Sequence, residues 1–178
     1  MFDPEKLLDL GREARAENRL DDARDLLAQA VVEARWLRNQ GMQATALKAW
    51  GQVERDLKHP DTAVKCYREA AGIYRALGDR LGEAHSIRHV GDIFREQKSA
   101  KEAASSYDQA LEIYRNHPAT PSLDLANTLR GVALLKEAAG ADEDALFCWQ
   151  EACQLYAEAG VDAGVAEAQN NIAFLLGQ

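Results

Sequence analysis

Four prolines and three cysteines in 178 residues leave little room for several classes of protein. So little proline, with 47% of residues hydrophobic and 28% charged, argues against a disordered chain. Cys66, Cys148 and Cys153 show no CxxC spacing, and an odd number leaves one over in any pairing scheme. They are expected to be small packing residues. No apolar run approaches the roughly 20 residues needed to cross a bilayer. The opening MFDPEKLLDL carries acid where a secretory leader carries base, so residence in the cytoplasm is expected. Positive charge is in deficit: 21 Lys and Arg against 29 Asp and Glu give a net charge of −8, which opposes general nucleic-acid binding. GxxxxGK[ST], a GxGxxG after a strand and a nucleophile elbow are all missing, so neither catalysis nor a cofactor is expected.

What the chain does have is repetition. Shifted by 40 residues, small side chains fall into columns: Gly11, Gly51 and Gly91, then Ala23, Ala63 and Ala103 twelve further on. Leu27, Tyr67 and Tyr107 share a column, as do Ala30, Ala70 and Ala110, and Tyr74 and Tyr114. A fourth copy is anchored on Ala145, which aligns Ala133 with the glycines and Trp149 with the tyrosines. Gly131, though 40 after Gly91, is thereby rejected. Two extra residues then fall at 116–122, where Pro118 and Pro121 already break helix. A half-copy with Ala166 and Ala173 follows. This is the signature of stacked helix pairs.

The expected fold is all-α: a right-handed solenoid of four antiparallel helix pairs plus a C-terminal capping helix. It forms a single domain over 1–178, with repeats at about 1–40, 41–79, 80–119 and 120–160 and the cap at 161–178. Asp3 and Pro4 read as the N-cap and first position of the first helix. Asn18, Gly41, His59 with Pro60, and Gly78 with Asp79 read as breaks. Ser99 and Glu102 read as a capping box, and Asp21, Asp22 and Asp25 as acids in a first turn. Thr120 before Pro121 reads as the start of the seventh helix, with Gly140 and Gly160 as stops. Leu47, Trp50 and Val53 form one expected buried stripe, and Ile87, Val90, Gly91 and Phe94 another. The small columns should let paired helices approach while the aromatics fill the space beside them.

These columns resemble the tetratricopeptide repeat over nearly the whole chain. The period is similar to the roughly 40-residue variety of kinesin light chains and bacterial regulators, with Ile73 to Asp79 and Gly82-Glu83-Ala84 in that style. The resemblance implies a non-catalytic ligand-binding or assembly module whose first helices line a concave face. Counted from the glycine column, offsets −6, −3, −2, +1 and +4 then share the groove side. Offset −3 gives Leu8, Lys48, Arg88, Arg130 and Asn170. Offset +4 gives Arg15, Arg55, Arg95 and Glu137. Gln52 and Asn127 stand at further groove offsets. Two rows of like charge on an acidic protein suggest a partner with an acidic or carboxylate-bearing segment, since arginine forks match carboxylates. The alternative is that Asp56, Asp92 and Glu96 neutralise these side chains on the surface.

The resemblance extends to two further points. The dicarboxylate clamp of chaperone-tail-binding members fits only at Lys48, with Gln52 and His89 departing from it, so that specificity is not carried over. Asn170 and Asn171 resemble paired asparagines that hold an extended ligand backbone. His85, His89 and Asp92 share one helix face; they are expected to titrate in the groove rather than to bind metal. Phe174, Leu175 and Leu176 close the chain with apolar side chains and suggest a homodimer contact, or an apolar groove end beside Leu134.

Overall fold

The computed structural model describes residues 2–177, and all regular structure among them is helical. The helices are α1 Pro4–Ala16, α2 Leu20–Trp36, α3 Gln40–Asp56, α4 Pro60–Ala76, α5 Arg80–Glu96, α6 Ala100–Asn116, α7 Ser122–Ala138, α8 Asp142–Glu158 and α9 Asp162–Leu175. The outermost ends of the first repeat and of the cap, at residues 1 and 178, lie outside the described residues. From α2 to α8 every helix is 17 residues long. From Leu20, starts recur every 20 residues up to Ala100 and resume, two residues late, at Ser122. Gly51, Gly91 and Ala133 therefore occupy the same position in α3, α5 and α7, and the two-residue insertion falls where the prolines placed it.

The spacing is set by one turn, used repeatedly. Asn18, Arg38, Lys58, Gly78, Lys98, Gly140 and Gly160 all take positive φ, between 55° and 76°. The next residue's N–H then reaches back to a carbonyl of the last helical turn, as in Arg19 to Ala14 (2.8 Å), Asn39 to Ala34 (2.9 Å), His59 to Glu54 (2.8 Å) and Asp79 to Tyr74 (2.9 Å). This six-to-one bond closes carbonyls that would otherwise end the helix unpaired.

Several sequence-based boundaries move for this reason. Gly41 lies inside α3; the break is Arg38, and Asn39 caps α3 by accepting from the Met42 N–H at 3.0 Å. Ser99 makes no side-chain cap bond, and its own N–H, which Glu102 would have to accept in a capping box, is donated in the turn to the Phe94 carbonyl, so the capping box does not form. Thr120 does not cap α7. Its hydroxyl donates back to the Tyr114 carbonyl at 2.7 Å, and Pro121 stands at the N-cap. Asp25 lies beyond the first turn of α2. In α5 Val90 and Gly91 are buried as expected, Ile93 joins them at 1% exposure, and Ile87 and Phe94 are half-buried.

The chain divides into two units, Met1–Ile93 and Phe94–Gln178. In the first, Gly11 and Gly51 do what the columns required. A methyl on Gly11 would stand 2.6 Å from Leu27 Cγ, and one on Gly51 3.1 Å from the Tyr67 ring. Leu27 and Tyr67 are fully buried as a result. Two buried carboxylates tie turns to helices, since a charge out of water needs partners. Glu54 accepts from Trp50 Nε1 (2.7 Å) and pairs with His59 Nδ1 (2.9 Å), and Glu83 holds Arg75 (2.7 Å) and Arg80.

The second unit repeats the logic with a larger ring. Trp149, fully buried, packs in one cluster with Ala133 and Ala168, and its indole N–H donates to Glu137. A second small column, unread in the sequence, is Gly82 in the first unit and Gly164 in this one. A methyl on either would stand 2.7 and 2.6 Å from Tyr74 and Tyr156 respectively. Gly131 is buried for yet another reason, because Tyr107 lies over it. Cys66 is buried and Cys148 and Cys153 half-buried, and all three are free thiols. Leu175 packs into this core with Leu134, so of the three closing apolar residues only Phe174 and Leu176 are exposed.

Candidate functional site

In the first unit the groove offsets converge on a recess of about 120 Å³. Arg12 and Arg15 reach it from α1, Lys48 and Gln52 from α3, and His85 and His89 from α5, with Leu27, Thr45, Ala49 and Tyr67 completing the wall. Three of the lining residues carry permanent positive charge and none is a carboxylate. Lys48, Arg15 and Gln52 were expected to face a ligand together, and they line this one recess. Arg12 and Thr45 were not named, although Arg12 stands at groove offset +1.

An acid just outside the recess holds Arg15 in place. Arg15 Nε donates to Asp56 at 2.6 Å, and Arg12 lies 3.7 Å from Asp9. The Lys48 ammonium lies 5.9 Å from the centre of the Tyr74 ring, a cation–π distance. Arg55 stands 3.9 Å from Asp92.

Behind the recess the side chains form a chain of contacts. Arg88, only 8% exposed, donates to Asp92 at 2.8 Å and turns its other terminal nitrogen to His89 Nε2 at 2.9 Å. It is a buried strut rather than the exposed groove residue that its offset suggested. An arginine can only donate, so His89 Nε2 accepts and the ring proton sits on Nδ1, 3.4 Å from Asp92. His85 Nε2, 3.1 Å away, is then the donor to the same lone pair. The His89 ring stacks on Tyr67 with centroids 4.9 Å apart. Burial, reinforced by the charges of Arg88 and His85, lowers the His89 pKa to about 4 despite Asp92. His89 is therefore neutral near pH 7. Burial likewise pushes the Tyr67 phenol up, against the pull of Arg55 and Arg88.

In the second unit the corresponding positions are tied up differently. Arg130 forks onto Glu167 through two bonds of 2.7 and 2.6 Å, and Arg95 Nε donates to the Tyr107 hydroxyl at 3.3 Å. Asn127 accepts from the Tyr156 hydroxyl at 2.9 Å. Asn171 donates to the Glu167 carbonyl of its own helix at 2.9 Å, while Asn170 is exposed. The amide pair thus splits, one serving the helix and one facing solvent. The rows of like charge read from the sequence are largely offset by Asp56, Asp92 and Glu167, the last of which the sequence did not single out. Among the described residues, no three or more His, Cys, Asp or Glu side chains are spaced to hold a metal ion, and no helix is long and apolar enough to cross a membrane.

Repeated 17-residue helices, each packed on its neighbour in the chain with small residues facing aromatics, define a helical-repeat fold. Residues 42–116 match the tetratricopeptide repeat model. Its fold is similar to that of BtubC (BKLC) from P. vanneervenii, at 17% identity and a TM-score of 0.73 over 98% of this chain and 81% of that one. It is also similar to the apo form of RapI, at 14% identity and a TM-score of 0.86 over 97% of this chain, which spans only 62% of RapI. No curated protein matches the sequence.

Proposed function

We propose that the chain is a non-catalytic cytoplasmic scaffold that captures an acidic segment of a partner protein, with the recess of the first unit as the anchoring point. The observation that carries this reading is the recess lining: Arg12, Arg15 and Lys48, with no carboxylate, in a chain of net charge −8. Locally concentrated positive charge between low-dielectric walls attracts acidic groups against the average field of the protein. Gln52 and Thr45 supply polar atoms beside the cations. In the second unit Asn170 and the exposed Phe174 extend the repertoire to backbone and apolar contacts. The test is fluorescence anisotropy with acidic, neutral and basic peptides of one length at two salt concentrations. Acidic peptides should bind best, and more weakly at high salt. Equal affinity for all three, or affinity untouched by Arg12→Glu with Lys48→Glu, would refute the reading.

A second reading is favoured by one observation, the exposure of Phe174 (79%) and Leu176 (50%). A homodimer through these side chains would show concentration-dependent light scattering that Phe174→Ser abolishes. A strict monomer would eliminate it.

A further inference from the structure

We propose that the outward side of α9 is a self-association surface: two copies of the chain pair their last helices antiparallel about a two-fold axis at Asn170, each setting Phe174 over Ala166 of the other copy. The proposal rests on the homodimer reading, and it adds the face, the orientation and the contacts through which the copies meet.

Burial along the chain marks α9 as an uncovered member of the stack. Ala44, Ala84 and Ala126 stand at one position of α3, α5 and α7, and all three are fully buried. Ala166, 40 residues after Ala126, holds that position in α9 and is exposed. What covers the position is visible in the second unit, where Ala126 packs in one cluster with Ala152 and Tyr156 of α8, and Ala133 in another with Trp149. The counterpart of Ala133 in α9 is Ala173, which is only half-buried. The interface between α7 and α8 thus continues onto α9 as an open seat for a helix that carries a large side chain.

The same side of α9 carries such a side chain. Phe174 is 79% exposed, more than any other large apolar residue among those described. Spaced four apart, Ala166, Asn170 and Phe174 share one side of α9, opposite the buried Gly164 and Ala168. Asp162 and Glu167 are the charged residues of α9; both lie off that side, and Glu167 is committed to Arg130. A helix side turned outward with an exposed phenyl ring and no charge marks an interaction surface.

Symmetry selects a second copy as the occupant. In a two-fold interface, if one residue meets another, the second meets the first in return. Ala166 and Phe174 stand four residues to either side of Asn170, about 6 Å each way along the axis. An antiparallel pair centred on Asn170 therefore sets large against small at both ends. At the centre the two amides face one another, each offering a donor and an acceptor. One helix thus supplies both seat and occupant. A head-to-tail stack is opposed by α1, whose exposed Lys6 and Glu13 hold the positions of Ala46 and Val53 in α3, both fully buried. Setting α1 on the uncharged side of α9 would bury those charges without partners.

The experiment uses the full chain and sedimentation velocity over a range of concentrations, in which the chain should form a dimer. Ala166→Glu and Phe174→Lys change exposed positions, so circular dichroism should show both variants folded, and each should weaken the dimer about tenfold or more. An equimolar mixture of the two variants should regain it. A mixed pair sets the introduced carboxylate against the introduced ammonium at one end and keeps Phe174 against Ala166 at the other. Leu176→Ser, off the paired side, should leave the dimer nearly unchanged. A dimer that survives Ala166→Glu, or a mixture that fails to recover, would overturn the α9 pairing while leaving the homodimer reading intact. A chain that stays monomeric at every concentration would defeat both, and would leave the seat to a helix of another protein.

Discussion

Replacing glycine by alanine should have opposite effects at Gly72 and at Gly131, although both lie inside helices. Alanine is favoured over glycine in a helix interior by about 1 kcal/mol. At Gly72 an added methyl meets nothing within 4 Å, so Gly72→Ala should realise that gain. At Gly131 the methyl would stand 2.6 Å from Tyr107 Cζ and 2.7 Å from its hydroxyl oxygen, well inside ordinary contact of 3.4–4 Å. Tyr107 is fully buried, and Arg95 Nε lies 3.3 Å from its hydroxyl, so the ring has little room to retreat. Overpacking of this kind costs about 1–3 kcal/mol, which outweighs the helix gain and leaves a net loss of about 1 kcal/mol. Urea denaturation followed by circular dichroism would read the two variants side by side. Thermal midpoints should separate too, at about 2–4 °C per kcal/mol for a chain of this size. If Gly131→Ala stabilises as much as Gly72→Ala, the account of small residues making room for aromatic rings is wrong.

Other consequences follow from single groups. The His89 pKa falls from 6.5 to about 4 on folding, so as pH drops through that window the unfolded chain binds the proton first and stability declines. The full loss is about 3 kcal/mol, and His89→Gln should flatten that part of the stability–pH curve. Burial raises the Cys66 thiol to about 12, so native protein should label there far more slowly with iodoacetamide than unfolded protein, as peptide mass mapping would show. Lys58 and Lys98 hold φ near 60° without being glycine, and Lys58→Gly should raise the unfolding free energy, read by urea denaturation, by about 1 kcal/mol of relieved backbone strain.

Helix register was readable because each column is a packing constraint visible in residue size. Ala133 rather than Gly131 belongs with Gly51 and Gly91, and the Trp149 and Ala145 columns say so. Turn positions were readable where the left-handed residue is Asn18 or Gly78, and hidden where it is Arg38, Lys58 or Lys98. There the 20-residue period imposes the conformation against local preference. Of the recess, Lys48, Arg15 and Gln52 were legible from helical offsets. Their partners were not: no spacing rule links Arg15 to Asp56, 41 residues away, or Arg130 to Glu167. Arg88 shares the offset of Lys48 yet is buried, because Asp92 and His89 on its own helix draw it inward.

The four histidines of the chain offer the most direct test of the anchoring site. His85 and His89 line the recess, whereas His59 is bonded to Glu54 at a helix turn and His117 lies between α6 and α7. Imidazole NMR signals followed during titration with an acidic peptide should move at His85 and His89 and stay still at His59 and His117. Binding that leaves His85 and His89 unmoved would contradict the account.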